Sequence, residues 1–290
     1  MFYIGAFMMR KSLENDYTKA INNHYGQPNL GAKILSTLQK NGKNITNLTR
    51  DDIATFDEFH LGGRRATREL AKLANLHEGM HILDIGCGIG GPARTLAAEF
   101  GCHVTGIDLT KEYCITAELL TEHVGLSDLI TFRHGNALNL PFEDEIFDVV
   151  WMQHVLMNIE NKPQVFNEIH RVLQTGGVLA LHEIMKGHPT PVYLPVFWAN
   201  ESALNYLLPT EDFKQMLHTC NYSIIEWENI SDRAKLMIQK LHKTVEMQGL
   251  PPLGINVIVS TDVPIKIANT LQNLEEKNIL VIQAVGKRNL

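Results

Sequence analysis

Hydrophobic positions through the middle of this chain follow two alternating periods. Residues 81–85, 102–107, 129–133, 147–152 and 178–183 form short, nearly continuous apolar runs. Runs of that length and character suit strands buried on both faces of a parallel sheet. Between them lie stretches of helical spacing: Ala93, Leu96, Ala97 and Phe100, then residues 111–123 and 162–173. Strands alternating with helices predict an α/β fold with a mainly parallel sheet. After the fifth run the pattern predicts a helix over 210–219 and a strand over 222–227. An amphipathic helix over 231–248 follows, with Ala234, Met237, Ile238 and Leu241 on one side. Residues 261–277 read as a further helical stretch and 279–287 as a last strand.

The first 75 residues differ from this core. Leu30, Ile34, Leu35 and Leu38 keep helical spacing before Gly42, and Thr49 caps a short helix. A turn at Gly62-Gly63 precedes a helix over 64–74. The division read here is a helical cover over 1–75 and a core over 76–290. Within that core, 186–208 is expected as a substrate lid and 231–278 as an extra helical segment. The segment 187–198, rich in proline and aromatics, fits neither period; it reads as a lid or as a packed connector.

Composition narrows the class only modestly. The 290 residues are 44% hydrophobic and 20% charged, with a net charge of −6, so no basic field suggests nucleic acid as a partner. Cys87, Cys102, Cys114 and Cys220 show no metal spacing, which suits free thiols in a cytoplasmic setting. No run is long enough to span a membrane. The apolar stretch 1–9 is followed, not preceded, by Arg10 and Lys11, so it is not read as a signal peptide; Met8 or Met9 is an alternative start.

The candidate chemistry centres on residues 81–92. A short strand ends in Asp84, glycines stand at Gly86, Gly88, Gly90 and Gly91, and Pro92 opens a helix. The glycines let a ligand approach the backbone, and the helix N-terminus offers free N–H groups. Their spacing fits either a dinucleotide fingerprint or G-x-G-x-G. Asp84 separates these readings, because a carboxylate there repels pyrophosphate and attracts an ammonium group. Asp108 ends the second strand, where a carboxylate can accept from both ribose hydroxyls or cap the next helix.

The stretch Leu83-Asp84-Ile85-Gly86-Cys87-Gly88-Ile89-Gly90 resembles the first motif of the class I S-adenosylmethionine-dependent methyltransferases. The resemblance implies a Rossmann-like, doubly wound sheet of seven strands, mostly parallel with the last antiparallel, carrying an N-terminal helical cover and a lid insertion. It implies S-adenosylmethionine as cofactor, with Asp84 near the methionine amino group and Gly86, Gly88 and Gly90 under the ligand. Asp108 and Leu109 fall at the ribose, and Asn136 and Ala137 at the adenine, where the family more often carries an aspartate than Asn136. Gln153 and His154 fall beside the transferred methyl, His154 as general base or as a packing residue. His60, Tyr193 and Trp198 are the candidate substrate-binding residues. No metal site is visible. The Phe59–Gly63 turn and the Gln153-His154 corner look like the sarcosine and dimethylglycine methyltransferase type.

The function expected is methyl transfer to a small-molecule acceptor, with homo-oligomerisation left open. Two rivals stand beside it: a non-catalytic S-adenosylmethionine-binding module, and an NAD-dependent oxidoreductase.

Overall fold

The computed structural model describes residues 17–259 and 261–289. The apolar stretch 1–9, the choice of starting methionine and the first part of the expected cover lie outside the described residues.

Seven strands form one sheet: β1 His81–Ile85, β2 His103–Asp108, β3 Ile130–His134, β4 Phe147–Gln153, β5 Leu173–Lys186, β6 Tyr222–Asn229 and β7 Ile279–Arg288. Their order is β3-β2-β1-β4-β5-β7-β6. The pairs from β3 through β5 are parallel, and β7 runs antiparallel to both of its neighbours. This is the mainly parallel α/β sheet that the alternating pattern predicts, in the Rossmann-like, doubly wound form that the resemblance implies. The chain leaves β1 toward β2 on one side, and β4 lies on the other. That reversal opens a crevice at the carboxyl ends of β1 and β4.

Both faces of the sheet are covered because successive strand residues point opposite ways. Leu83, Val150 and Leu179 pack with Phe166 and Ile169 of the helix Lys162–Val172 and Phe213 of the helix Thr210–Thr219. Their neighbours Ile82, Trp151 and Ala180 face the other way, onto Leu70 of the helix Gly63–Leu73 and Leu96 of the helix Gly91–Phe100. Two smaller clusters build the roof above the crevice. Ile34 and Leu38 of the helix Leu30–Lys40 meet Ile53, Phe56 and Tyr113. Ile21, in the helical residues 17–25, joins Trp198, Ile238 and Ile267.

The fifth strand starts earlier than the run 178–183 predicts: Thr175-Gly176-Gly177 lies within β5 as an irregularity of the ladder. Leu173 pairs with Phe147 and Val178 with Val149, so four intervening residues on β5 oppose one on β4, with Gly176 at φ 75°. Among the described residues, no helix is long and apolar enough to cross a membrane.

Candidate functional site

The crevice holds a deep cavity whose floor is the turn from β1 into the helix Gly91–Phe100. Three amides at and after the turn are tied to β2. The Gly86 and Cys87 amides donate to the Ile107 carbonyl at 2.8 and 3.2 Å, and the Gly88 amide donates to Asp108 Oδ2 at 2.9 Å. Gly86 has φ 70°, and a Cβ there would lie 2.4 Å from Val155 Cγ2, so the turn tolerates no side chain at this point. Gly90 behaves differently from Gly86 and Gly88. It is the N-cap of the helix, and a Cβ there would strike Phe132 and Arg94 rather than meet the cavity. Its lack of a side chain serves packing beneath the turn.

Asp84 and Asp108 line this cavity beside the turn, and Asp57, paired with Arg94, lines it from the cover. Asp84 is buried, and its Oδ2 has no hydrogen-bond partner among the described residues. Burial, then the nearby Asp108 and Glu58, push its carboxyl well above the usual range. Asp108 is also raised by burial, against the opposing pull of the Thr110 and Gly88 amides, and its Oδ1 accepts from the Thr110 amide at 2.8 Å. It therefore caps the start of the helix Lys111–His123 and fronts the cavity at the same time. Leu109, Asn136 and Ala137 complete this end of the wall. The Asn136 side-chain oxygen accepts from the Leu138 amide at 2.9 Å, so part of its accepting capacity is spent in its own turn.

At the other end are three histidine rings, and the sequence singled out only two of them. His60 and His154 line the cavity. His182 on β5 lies behind them, its ring centroid 4.8 Å from His154 and 5.3 Å from His60. His182 is brought there by sheet register, since β5 places it beside Gln153. Nothing local in the sequence marks it. Burial lowers both His154 and His182 well below the ordinary imidazole range, aided for His154 by His60, so both rings are neutral. Gln153 is also a cavity residue, but its amide is engaged. Its Oε1 accepts from Trp151 Nε1 at 2.8 Å and lies 3.1 Å from Thr67 Oγ1.

A further buried group escaped sequence reasoning. Glu58 Oε2 lies 3.2 Å from His60 Nε2 and accepts from Thr67 Oγ1 at 2.5 Å, while Oε1 accepts from Thr95 Oγ1 at 2.5 Å. The i, i+2 spacing of Glu58 and His60 was the available signal. Beside it, the buried Arg94 pairs with Asp57 at 3.2 Å and fixes the segment ahead of the helix Gly63–Leu73.

Of the proposed substrate contacts, His60 and Trp198 line the cavity and Tyr193 does not. Trp198 is buried, and its indole N–H donates to Asn205 at 2.9 Å. Tyr193 is 41% exposed and interacts with Glu276, because residues 189–195 run over the outside before the chain turns inward at Val196. Tyr25 adds to the wall from above, its hydroxyl donating to Asn158 Oδ1 at 2.7 Å. Among the described residues, no group of three or more His, Cys, Asp or Glu could hold a metal ion.

A family model described as a methyltransferase domain matches residues 83–181. O-methyltransferase rstn1 of Aspergillus nomiae is 30% identical over 189 residues, covering 64% of this chain and 83% of that protein. Sterol 24-C-methyltransferase ERG6B of Gibberella zeae is 37% identical over 127 residues, covering 44% of this chain and 33% of that protein. The chain spans between a third and about three fifths of the length of several such curated relatives. In fold, the crystal structure of geranyl diphosphate C-methyltransferase from Streptomyces coelicolor superposes with a TM-score of 0.66 at 14% identity, covering 94% of this chain and 97% of that one.

Proposed function

Because this chain belongs to the S-adenosylmethionine-dependent methyltransferase family, we propose that it transfers a methyl group from S-adenosylmethionine to a small-molecule acceptor. The observation that carries this reading is the pair Asp84 and Asp108, on adjacent strand ends across the glycine turn, facing one cavity. Asp84 Oδ2 is buried without a partner among the described residues, which suits a ligand that brings its own ammonium group. A phosphate-bearing nicotinamide cofactor gains nothing from that carboxyl, so the oxidoreductase reading is the weaker one.

In this reading Asp84 holds the methionine ammonium and Asp108 accepts from the ribose hydroxyls. Leu109, Asn136 and Ala137 flank the adenine, and the turn around Gly86 and Gly88 keeps the floor free of side chains. When bound, the cofactor supplies an electrophilic methyl group. The protein supplies alignment of the acceptor and exclusion of water. Gln153, held by Trp151 and flanked by Thr67, keeps the end of β4 rigid beside His154. His154 and His60 present imidazoles to the acceptor, and Trp198 packs over it.

The helices before β1 act as the cover and residues 186–208 as the lid, with the helices inside 231–278 buttressing that lid through Ile238 and Ile267. The four cysteines are free, which supports a reducing, cytoplasmic location, and the net charge of −6 does not favour nucleic acid as acceptor. Incubation with methyl-labelled S-adenosylmethionine and a panel of phenols, quinones and amines tests the activity. Labelled product with at least one acceptor is expected. Tight cofactor binding with no turnover on any acceptor would favour the non-catalytic module.

A further inference from the structure

The buried network around His60 fixes where its proton sits. Trp151 Nε1 can only donate, so the Gln153 atom that it meets is the amide oxygen, and the amide nitrogen faces His182 Nδ1 at 3.3 Å. His182 therefore accepts at Nδ1 and carries its proton on Nε2. Glu58 accepts from two threonine hydroxyls, and a carboxylate offers no proton of its own. His60 Nε2, at 3.2 Å from Glu58 Oε2, is then the donor, and the ring's lone pair is on Nδ1. That Nδ1 is buried without a partner among the described residues, on a ring that forms part of the cavity wall.

His154 lacks this arrangement. Among the described residues its Nε2 also has no partner, no carboxylate pairs with the ring, and its close ring neighbours are His60 and His182. A proton taken by His154 leaves a buried cation without a counter-charge, which is costly. A proton taken by His60 at Nδ1 sits on a ring already hydrogen-bonded to Glu58. The other groups near His60 are Thr67 from the helix Gly63–Leu73, His154 just beyond β4, His182 from β5, and Arg64, whose Nε is 3.8 Å from Glu58 Oε1. Burial opposes charge on Glu58, yet the hydrogen bond of His60 and its positive charge when protonated, with the hydrogen bonds from Thr67 and Thr95, outweigh it and hold the carboxyl below its usual range.

We propose that His60, oriented by Glu58, is the general base of this site and that the acceptor is a hydroxyl group without a charge of its own. The inference rests on the methyltransferase reading above. In the step, the acceptor O–H bond breaks and its proton passes to His60 Nδ1. The oxygen–methyl bond forms as the methyl–sulfur bond breaks, and sulfur keeps that electron pair. The products are a methyl ether, a neutral thioether and a His60 imidazolium facing the Glu58 carboxylate. A neutral amine attacks through its own lone pair and has no need of such a pair of residues; a hydroxyl does. Here His60 is a catalytic residue and Glu58 a positioning residue.

Two measurements test this. Nitrogen NMR of the full chain labelled with 15N-histidine, with no ligand added, reads the tautomer directly, and His60→Gln identifies the His60 signals. Protonated Nε2 and unprotonated Nδ1 are expected; a proton on Nδ1 overturns the proposal. Kinetics with S-adenosylmethionine and substituted phenols of graded acidity then compare wild type with His60→Gln and Glu58→Gln. Loss of a general base lowers kcat on the order of 10²–10⁴-fold. The loss should shrink as the phenol becomes more acidic, with KM and cofactor affinity little changed, and His60→Gln should exceed Glu58→Gln. Equal losses for acidic and weakly acidic phenols, or turnover of amines alone, overturn the proposal. If His60→Gln fails to fold, Glu58→Gln carries the kinetic comparison, because its amide oxygen can still accept from Nε2 but cannot balance the imidazolium. Wild-type protein that binds no S-adenosylmethionine refutes the methyltransferase reading instead, and the NMR result distinguishes the two failures.

Discussion

Single residues at this site are held in protonation states that cost stability. Asp84 is raised by burial and by Asp108 and Glu58. A carboxyl raised in the folded state stabilises fully below its unfolded value, and that contribution is lost as pH rises through the folded value. At neutral pH Asp84 in the ligand-free protein therefore contributes less stability than it does in acid. Asp84→Asn is expected to raise the ligand-free melting temperature near neutrality and to weaken S-adenosylmethionine binding. Thermal unfolding and calorimetry check both arms; a lowered melting temperature with unchanged binding contradicts the assignment. Glu183 gives a cleaner window. Burial pushes it from 4.5 to about 8, although it accepts from the Val155 and Leu156 amides at 3.1 Å and lies near Lys162. Glu183→Gln keeps an acceptor for those amides and removes the titration. Wild-type stability relative to this variant should be constant below pH 4.5 and fall by roughly 1.4 kcal/mol per unit at most up to about pH 8. Denaturant melts across that range read the difference, and a flat difference contradicts the burial argument.

At the scale of elements, the segment 186–208 is both cavity wall and packed structure. Asn158, just beyond β4, clamps it: Nδ2 donates to the Trp198 and Leu204 carbonyls at 2.8 and 2.9 Å, while Oδ1 accepts from Tyr25. Trp198 is buried within the same cluster. Trp198→Ala should therefore destabilise the fold by about 3–5 kcal/mol as well as disturb turnover. Tyr193→Ala, off the cavity, should leave both nearly unchanged. Asn158→Ala is expected to raise the acceptor KM and to make 186–208 an early site of limited proteolysis, with cofactor affinity preserved. A variant as protease-resistant as wild type contradicts the clamp. The proline- and aromatic-rich pattern identified this segment as unlike its neighbours. It could not separate Tyr193 from Trp198, because which of them turns inward depends on contacts with helices far along the chain.

Across the whole molecule, what the sequence made legible was local. β1, its glycine turn, Asp84 and Pro92 lie within one short stretch, and strand period and turn chemistry suffice to read them. Asp108 follows from its place at the end of β2. The histidine cluster was only partly legible. His60 precedes β1, His154 follows β4 and His182 lies within β5, and only the β4–β5 register and the fold of the cover bring them together. The packing role of Gly90 was illegible for a related reason: its neighbour is Phe132 on β3, invisible to a motif. The most direct measurement of the central claim is a calorimetric titration of the full chain with S-adenosylmethionine, repeated on Asp108→Ala. One cofactor per chain is predicted, with the variant folded and its binding weakened by about 1–3 kcal/mol, as for lost charge-assisted hydrogen bonds. No binding to the wild type, or unchanged affinity in Asp108→Ala, would contradict the account.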